Sequence, residues 1–151
     1  MINTTDYLTG IRCVMKLHES MLKEICEQYH LTLIEANIIS FLHNNPGKDT
    51  AGDIVELRML SKGNVSQAVE KLIQKSLIRR TADKDDRRRI HLSLLPAAVP
   101  ITDAIQLIMN QLHEELCEGL SIQEQNQLET LTKQLTENVL STIKRRERNE
   151  E

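Results

Sequence analysis

The sequence predicts a mainly α-helical chain of six helices with one short β-hairpin. Three observations favour this fold class. Apolar residues recur at helical spacing through long stretches near both ends of the chain. Several segments between them open with helix-capping residues. Residues 79–94, RRTADKDDRRRIHLSL, pass from a charged turn into strict alternation of apolar and polar side chains, which is typical of a strand. The 151 residues suffice for one domain with a core.

The first helix is expected over residues 4–29. Its apolar seam has the alternating three- and four-residue spacing of a heptad repeat, formed by Leu8, Ile11, Met15, His18, Leu22, Ile25 and Tyr29. A seam this long needs a partner helix, and a second subunit is one possible source of that helix.

The next three helices are marked by their N-caps. Thr32 with Glu35 three residues later makes a capping box, and Thr50 with Asp53 repeats the pattern. Ser61 is the expected N-cap of the following helix, in SKGNVSQAVEKLIQKS. These signals predict two helices, a tight turn and a further helix in the middle of the chain.

The hairpin is predicted from the segments LIRRT and RIHLSL, with residues 82–88 as the connecting loop. A fifth helix is expected at roughly 100–118, where Gly119 ends it. The capping box SIQE then starts a sixth helix. Its last eight residues, 144–151, look frayed.

Charge is unevenly distributed along the chain. Residues 62–89 hold nine Lys or Arg and four acids, a net charge of +5, so the rest of the chain carries −8 of the total of −3. A basic middle on an acidic body predicts one face for a polyanion. With only three aromatic residues in the chain, stacking on single-stranded nucleic acid is disfavoured.

The short third helix, the turn and the capped fourth helix make a helix-turn-helix candidate. On a helical wheel the fourth helix has one apolar side, made by Val65, Ala68, Val69, Leu72 and Ile73. Its other side is polar and contains Gly63, Asn64, Gln67, Glu70, Lys71 and Gln74. Asn and Gln side chains pair with base edges, and the free N–H groups at a helix start favour phosphate.

A hairpin that directly follows a helix-turn-helix is a wing. Its arginines suit the minor groove, where the negative potential is strongest over narrow A·T tracts. The carboxylate of Asp86 is expected to brace the guanidinium of Arg88, two residues away.

Three motifs stand out in this part of the chain: SKGNVS at residues 61–66, KSLIRR at 75–80 and DRR at 86–88. Together they resemble the MarR family of winged-helix transcriptional regulators. The stretch 61–94 is the most specific, and the likeness extends over nearly the whole chain. Two departures concern geometry: Ser76 stands where the family usually has glycine, and LLPAAVP replaces its L-T-x-x-G motif before the fifth helix.

The resemblance implies a homodimeric regulator that binds double-stranded DNA at a palindromic operator. The whole chain, 1–151, would be one domain, with a DNA-binding lobe at 32–94 and dimerisation helices at 4–29 and 100–148. Family members generally repress, and ligand binding or oxidation releases them. The expected DNA-binding residues are Ser61, Lys62, Gly63, Asn64, Ser66, Gln67, Lys71, Arg79, Asp86, Arg87 and Arg88.

Three ways of sensing a signal remain open from the sequence. A small lipophilic effector would contact Met15, His18 and Met59, although His18 also suits simple packing at a subunit interface. Thiol oxidation would use Cys13, unless that cysteine is buried and inert. Zinc is disfavoured because the fifth helix offers only His113, so no metal and no cofactor are expected.

Other function classes find less support. There is no Gly-rich phosphate loop and no nucleophile with a base at readable spacing, which argues against an enzyme. A winged-helix adaptor that binds protein instead of DNA is the alternative, but the polar face and the basic wing oppose it. No apolar run is long enough for a membrane span, and no signal peptide is evident. Three irregularly spaced cysteines suit the reducing cytoplasm better than a disulfide framework, so a cytoplasmic protein is expected.

Overall fold

The computed structural model describes residues 1–150, which form six α-helices and a two-stranded antiparallel sheet. The elements in chain order are α1 Thr4–Tyr29, α2 Leu33–Asn44, α3 Ala51–Arg58, α4 Lys62–Gln74, β1 Ile78–Ala82, β2 Ile90–Leu94, α5 Val99–Cys117 and α6 Ile122–Glu150. This is a winged helix-turn-helix, and the predicted fold class is confirmed. No helix within residues 1–150 has the length and apolar character to cross a membrane.

The predicted caps set the starts of the middle helices. The hydroxyl of Thr32 accepts a hydrogen bond from the N–H of Glu35, and the Glu35 carboxylate accepts one from the N–H of Thr32. Thr50 and Asp53 make the same reciprocal pair at α3. Ser61 caps α4. Because each cap satisfies N–H groups that have no partner inside the helix, the starts are defined locally.

α4 ends in a Schellman motif closed by a serine. Ser76 has a φ of 56°, in the left-handed region. Its N–H donates to the carbonyl of Ile73 at 2.9 Å, and the N–H of Leu77 donates to the carbonyl of Leu72 at 3.0 Å. Glycine is the usual residue in this conformation, and here a serine adopts it. Met59, at the end of α3, is also left-handed, with a φ of 52°.

The chain divides into two compact units, one spanning Met1–Leu112 and a second that begins at His113. The core of the first unit is built by α1, α2, α3, α4, the hairpin and α5; its most buried side chains include Leu22, Ile38, Ile39, Phe41, Ile54, Leu72 and Ile78. β1 and β2 pair in register, with Ile78 opposite Leu94 and Arg80 opposite Leu92. This core fixes α4 and the hairpin against each other.

Two predicted features differ from the structure. The apolar seam of α1 divides: Leu22 and Ile25 are buried in the core, whereas Leu8 and Ile11 are exposed. Of the residues predicted to fray, 144–150 are helical, and residue 151 lies outside the described residues. Arg148 lies in the last turn of α6, where a cation interacts favourably with the helix dipole.

Candidate nucleic-acid interface

The apolar and polar residues of α4 lie on opposite faces, as predicted. Val65, Ala68, Val69 and Leu72 are buried against the core. The opposite face is exposed and carries Lys62, Gly63, Asn64, Ser66, Gln67, Glu70, Lys71 and Gln74. The exposed side chains are amides, hydroxyls and charged groups, which can donate and accept hydrogen bonds. This face is therefore equipped to meet the edges of bases.

The start of α4 is open to an anion. The Ser61 hydroxyl accepts from the N–H of Asn64 at 3.2 Å, and helix geometry leaves the preceding N–H groups without partners inside the helix. A Cβ placed on Gly63 would meet no atom of the described chain within 4 Å. Packing inside the chain therefore gives no reason for a glycine at position 63.

The wing turn, residues 83–89, is organised by Asp83. One oxygen of its carboxylate accepts hydrogen bonds from the N–H groups of Asp85 and Asp86, at 3.0 Å each. Its own N–H donates to the carbonyl of Arg89 at 2.9 Å. These are local side-chain-to-backbone bonds of the kind that fix Asx turns. The turn consequently has a defined shape despite its high charge.

Asp86 supports the backbone at Arg88 instead of its guanidinium. The carboxylate of Asp86 accepts from the N–H of Arg88 at 3.0 Å, so the predicted brace exists but acts on a different atom. Within residues 1–150 the guanidinium groups of Arg87 and Arg88 form no ion pair. Both side chains are exposed and have their charge available for a polyanion.

An ion pair joins the wing to α4. The guanidinium of Arg80 on β1 lies 2.8 Å from the carboxylate of Glu70 on the exposed face of α4. Both side chains are about half exposed, so the pair adds little to stability. Arg79, the neighbouring residue, is exposed as well. The pair shows that the polar helix face and the first wing strand lie side by side.

His91, on β2, is a site residue that the sequence reasoning missed. Its Nδ1 lies 2.6 Å from the carboxylate of Asp49 and its Nε2 lies 2.7 Å from the carboxylate of Asp83. The hydrogen bond to Asp49, followed by the one to Asp83, raises the pKa of His91 above its usual 6.5. The hydrogen bond from His91, with those from the backbone of Asp86 and Asp85, lowers the pKa of Asp83 to about 2.

An open cleft of about 650 Å³ separates the wing from the start of α3. Its walls are the first turn of α3 on one side and the wing turn on the other, with Thr50, Ala51, Gly52, Asp86, Arg88 and Arg89 among its lining residues. Arg88 therefore stands beside a second helix start as well as at the tip of the wing.

The three candidate effector contacts differ in their surroundings. His18 is half-buried, and burial, followed by the positive charge of Arg58, lowers its pKa. Arg58 precedes Met59 in the chain and lies 5.5 Å above the ring of Phe41. Met15 and Met59 are 57% and 61% exposed. The structure thus relates His18 to the end of α3, while both methionines are solvent-facing.

The cysteines differ in accessibility. Cys13 is exposed and Cys26 is buried; burial raises the pKa of the Cys26 thiol, and Glu35 adds to the shift. The Sγ atom of Cys117 lies 3.7 Å from Nδ1 of His113. Cys13 has the accessibility that an oxidation sensor needs.

Comparison with known proteins is consistent with this geometry. A sequence model described as MarR family matches residues 29–89, from the end of α1 through the wing turn. A mutant form of MepR from a multidrug-resistant S. aureus clinical isolate is 25% identical, with a TM-score of 0.72 over 91% of this chain and 99% of that chain.

Two further solved structures share the fold. A complex of S. aureus MepR with DNA is 24% identical, with a TM-score of 0.69 over 87% of this chain and 97% of that chain. BpsR of Bordetella bronchiseptica, solved to explain regulation of its DNA binding by 6-hydroxynicotinic acid, is 18% identical, with a TM-score of 0.66 over 87% of this chain and 98% of that chain. The motifs, the fold and the sequence match over residues 29–89 agree in their similarity to the MarR family.

Proposed function

We propose that this chain is a transcriptional regulator that binds specific sequences of double-stranded DNA. The observation that carries the proposal is the joining of two surfaces by the Arg80–Glu70 ion pair: the exposed polar face of α4 and the arginine-bearing wing. The MarR family is a family of transcription regulators, which favours a binding function over an enzymatic one.

The two surfaces suit different parts of a duplex. Asn64 and Gln67 on α4 have amide groups that pair with adenine in the major groove. Arg87 and Arg88, which form no ion pair within residues 1–150, suit phosphates and the minor groove. Further cations that would add phosphate contacts are Lys62 and Lys71 on the same face of α4 and Arg79 on β1. Sequence would thus be read by α4, and most of the affinity would come from the basic residues around it.

The same proposal includes a homodimer. Two copies would place two α4 helices in successive major grooves, so the operator would be an imperfect palindrome. In this arrangement residues 32–94 form the DNA-binding lobe, and residues 4–29 and 100–148 form the dimerisation helices. Exposed apolar residues on α1, α5 and α6, such as Leu8, Leu116 and Leu131, support an interface of this kind.

We include repression and its release in the proposal. The structure of MepR has been solved with DNA, and the DNA binding of BpsR is regulated by 6-hydroxynicotinic acid. The second case supports a small-molecule effector for the present chain. Met15, His18 and Met59 are the candidate contacts for a small lipophilic molecule. Oxidation of the exposed Cys13 is the other trigger, and it fits a cytoplasmic protein because thiols stay reduced there until oxidant arrives.

Selection of bound sites from a random duplex library tests the proposal. The protein is incubated with the library in reductant and, separately, after mild thiol oxidation. We expect an enriched palindrome whose half-sites lie one DNA turn apart, and weaker enrichment after oxidation if Cys13 is the sensor. A Cys13→Ser variant is the control for the second arm. Failure to enrich any duplex sequence in reductant would refute sequence-specific binding.

A further inference from the structure

His91 joins two segments that are distant in sequence. Its imidazole contacts the carboxylate of Asp49, in the loop between α2 and α3, and that of Asp83, at the root of the wing turn. The N–H of Leu92 also donates to the carbonyl of Asp49 at 2.8 Å. The side chain is 27% exposed, so it is accessible to protons from solvent. The ring ties the wing to the residue just before the cap of α3.

The geometry favours the doubly protonated ring. An ionised carboxylate can only accept hydrogen bonds, and a neutral imidazole has one N–H. Both nitrogen atoms of His91 face carboxylate oxygens, at 2.6 and 2.7 Å. Both contacts are therefore hydrogen bonds only when the ring is an imidazolium. Loss of the proton leaves one carboxylate opposite a lone pair, and that contact becomes repulsive.

The two carboxylates are the charged groups that act on the ring. On β1 the residue opposite His91 is Thr81, which carries no charge. The acids of α3, Asp53 and Glu56, line the cleft with Ile90, whose side chain alternates to the other face of β2. The titratable groups of α2 are Glu35, which is bonded to Lys75, and the exposed His43.

A chain of hydrogen bonds leads from the ring to the tip of the wing. His91 bonds to one oxygen of Asp83, and the other oxygen holds the N–H groups of Asp85 and Asp86. Asp86 in turn holds the N–H of Arg88. The position of Arg88 is consequently linked to the bond between His91 and Asp83.

We propose that His91 is a positioning residue whose imidazolium holds the wing turn, and Arg88 with it, in place for a duplex, so that duplex affinity falls as the ring loses its proton. This inference rests on the proposed function. His91 itself need not touch DNA, because it acts through the backbone of the wing. The bonded set of Asp49, His91 and Asp83 is called the latch below.

The direction of the pH dependence follows from the two shifts. The pKa of His91 is raised above 6.5, so the contribution of the bonded ring is complete below 6.5 and is lost as pH rises through the raised value. The pKa of Asp83 is lowered from 3.8 to about 2, so its contribution is complete above 3.8 and is lost only towards pH 2. Both hydrogen bonds of the latch are therefore present in mildly acidic solution, and one is lost as pH rises above the raised pKa of His91.

Duplex affinity is measured from pH 5.5 to 8.5 at constant ionic strength, on a site chosen by selection. For the wild type we expect Kd to rise roughly three- to tenfold over this range, with a slope of no more than about tenfold per pH unit for a single proton. His91→Gln should bind more weakly at the acid end and lose the pH dependence. His91→Arg should also be flat but stay close to the acid-end affinity, because a guanidinium donates to both carboxylates at every pH.

His43→Gln, which replaces an exposed histidine outside the latch, should keep the wild-type pH profile. A wild-type profile in His91→Gln would overturn the inference. So would a His91→Arg variant that is folded, by circular dichroism, yet binds no better than His91→Gln. Asp83→Asn should reproduce the weaker acid-end binding of His91→Gln, which checks the same bond from its other side.

A measurement without DNA separates this inference from the proposed function. In the free protein, the amide NMR shifts of Asp85, Asp86 and Arg88 should follow the titration of the His91 ring, and should stop doing so in His91→Gln. If they titrate with the ring while no duplex is bound at any pH, the latch exists and the proposed function is wrong. If specific binding is found but these shifts ignore the ring, the proposed function stands and the latch is wrong.

Discussion

At the scale of single residues, Ser76 shows how a side chain can be tolerated where glycine is usual. The left-handed conformation after α4 is required by the two bonds of the Schellman motif. For residues other than glycine this conformation is unfavourable by about 1–2 kcal/mol. Ser76 is exposed and has space for its side chain, so the unfavourable term is backbone strain alone.

We therefore predict that Ser76→Gly raises the free energy of unfolding by about 0.5–1 kcal/mol, since relief of strain is partly offset by the greater freedom of glycine in the unfolded chain. Urea denaturation measures the change. Ser76→Ala is the matched control and should stay within about 0.5 kcal/mol of the wild type, because it keeps a Cβ in the same conformation. A Ser76→Gly variant less stable than the wild type would contradict this explanation.

Residues also show which parts of the site were predictable. The capping boxes that start at Thr32 and Thr50 pair residues three positions apart. The sequence predicts them correctly because both partners lie in one short motif. The contact of His91 with Asp49 joins groups 42 residues apart, and alternation alone marked His91 only as polar. For Asp86 the partner residue was predicted and the atom was wrong, because a backbone N–H is already in place whereas a guanidinium must lose side-chain freedom to be held.

At the scale of elements, α4 and the wing should have separable effects on binding. We predict that Arg88→Ala weakens binding to every duplex and reduces the slope of log Kd against log salt by about one, since one phosphate contact is lost. Gel shifts at several salt concentrations measure both quantities. Arg88→Lys keeps the charge and should keep the slope. An unchanged affinity in Arg88→Ala would remove the wing from the interface.

Gln67→Ala should behave differently because Gln67 lies on the polar face of α4. We predict a loss of about 1–3 kcal/mol on the best site only, with binding to unrelated duplexes unchanged. Competition between the selected site and a scrambled site, at one salt concentration, measures this difference. Gln74→Ala, on the same face near the end of α4, is the matched control. A uniform loss across sequences would show that Gln67 contacts the backbone of DNA instead of a base.

At the scale of the whole molecule, apolar surface is left uncovered by the described single chain. On α1, Leu8 and Ile11 are 49% and 40% exposed although they continue the seam that buries Leu22 and Ile25. In the second unit, α6 has no buried residue among those described, yet it exposes Leu128, Leu131 and Val139. Apolar patches of this extent mark protein–protein contacts, and a second copy of the chain is the partner that a palindromic operator requires.

We predict that the protein sediments as a dimer at micromolar concentration and that Ile11→Asp shifts it to a monomer, because a buried unpaired carboxylate is strongly unfavourable at an interface. The variant should keep its far-ultraviolet circular dichroism, since Ile11 is exposed within its own chain. It should also bind the full palindrome no better than a half-site, because one lobe alone contacts the DNA. Ser20→Asp adds the same charge on the opposite face of α1 and should leave the dimer intact. A wild-type monomer at this concentration would refute the interface and the expectation of a palindromic operator together.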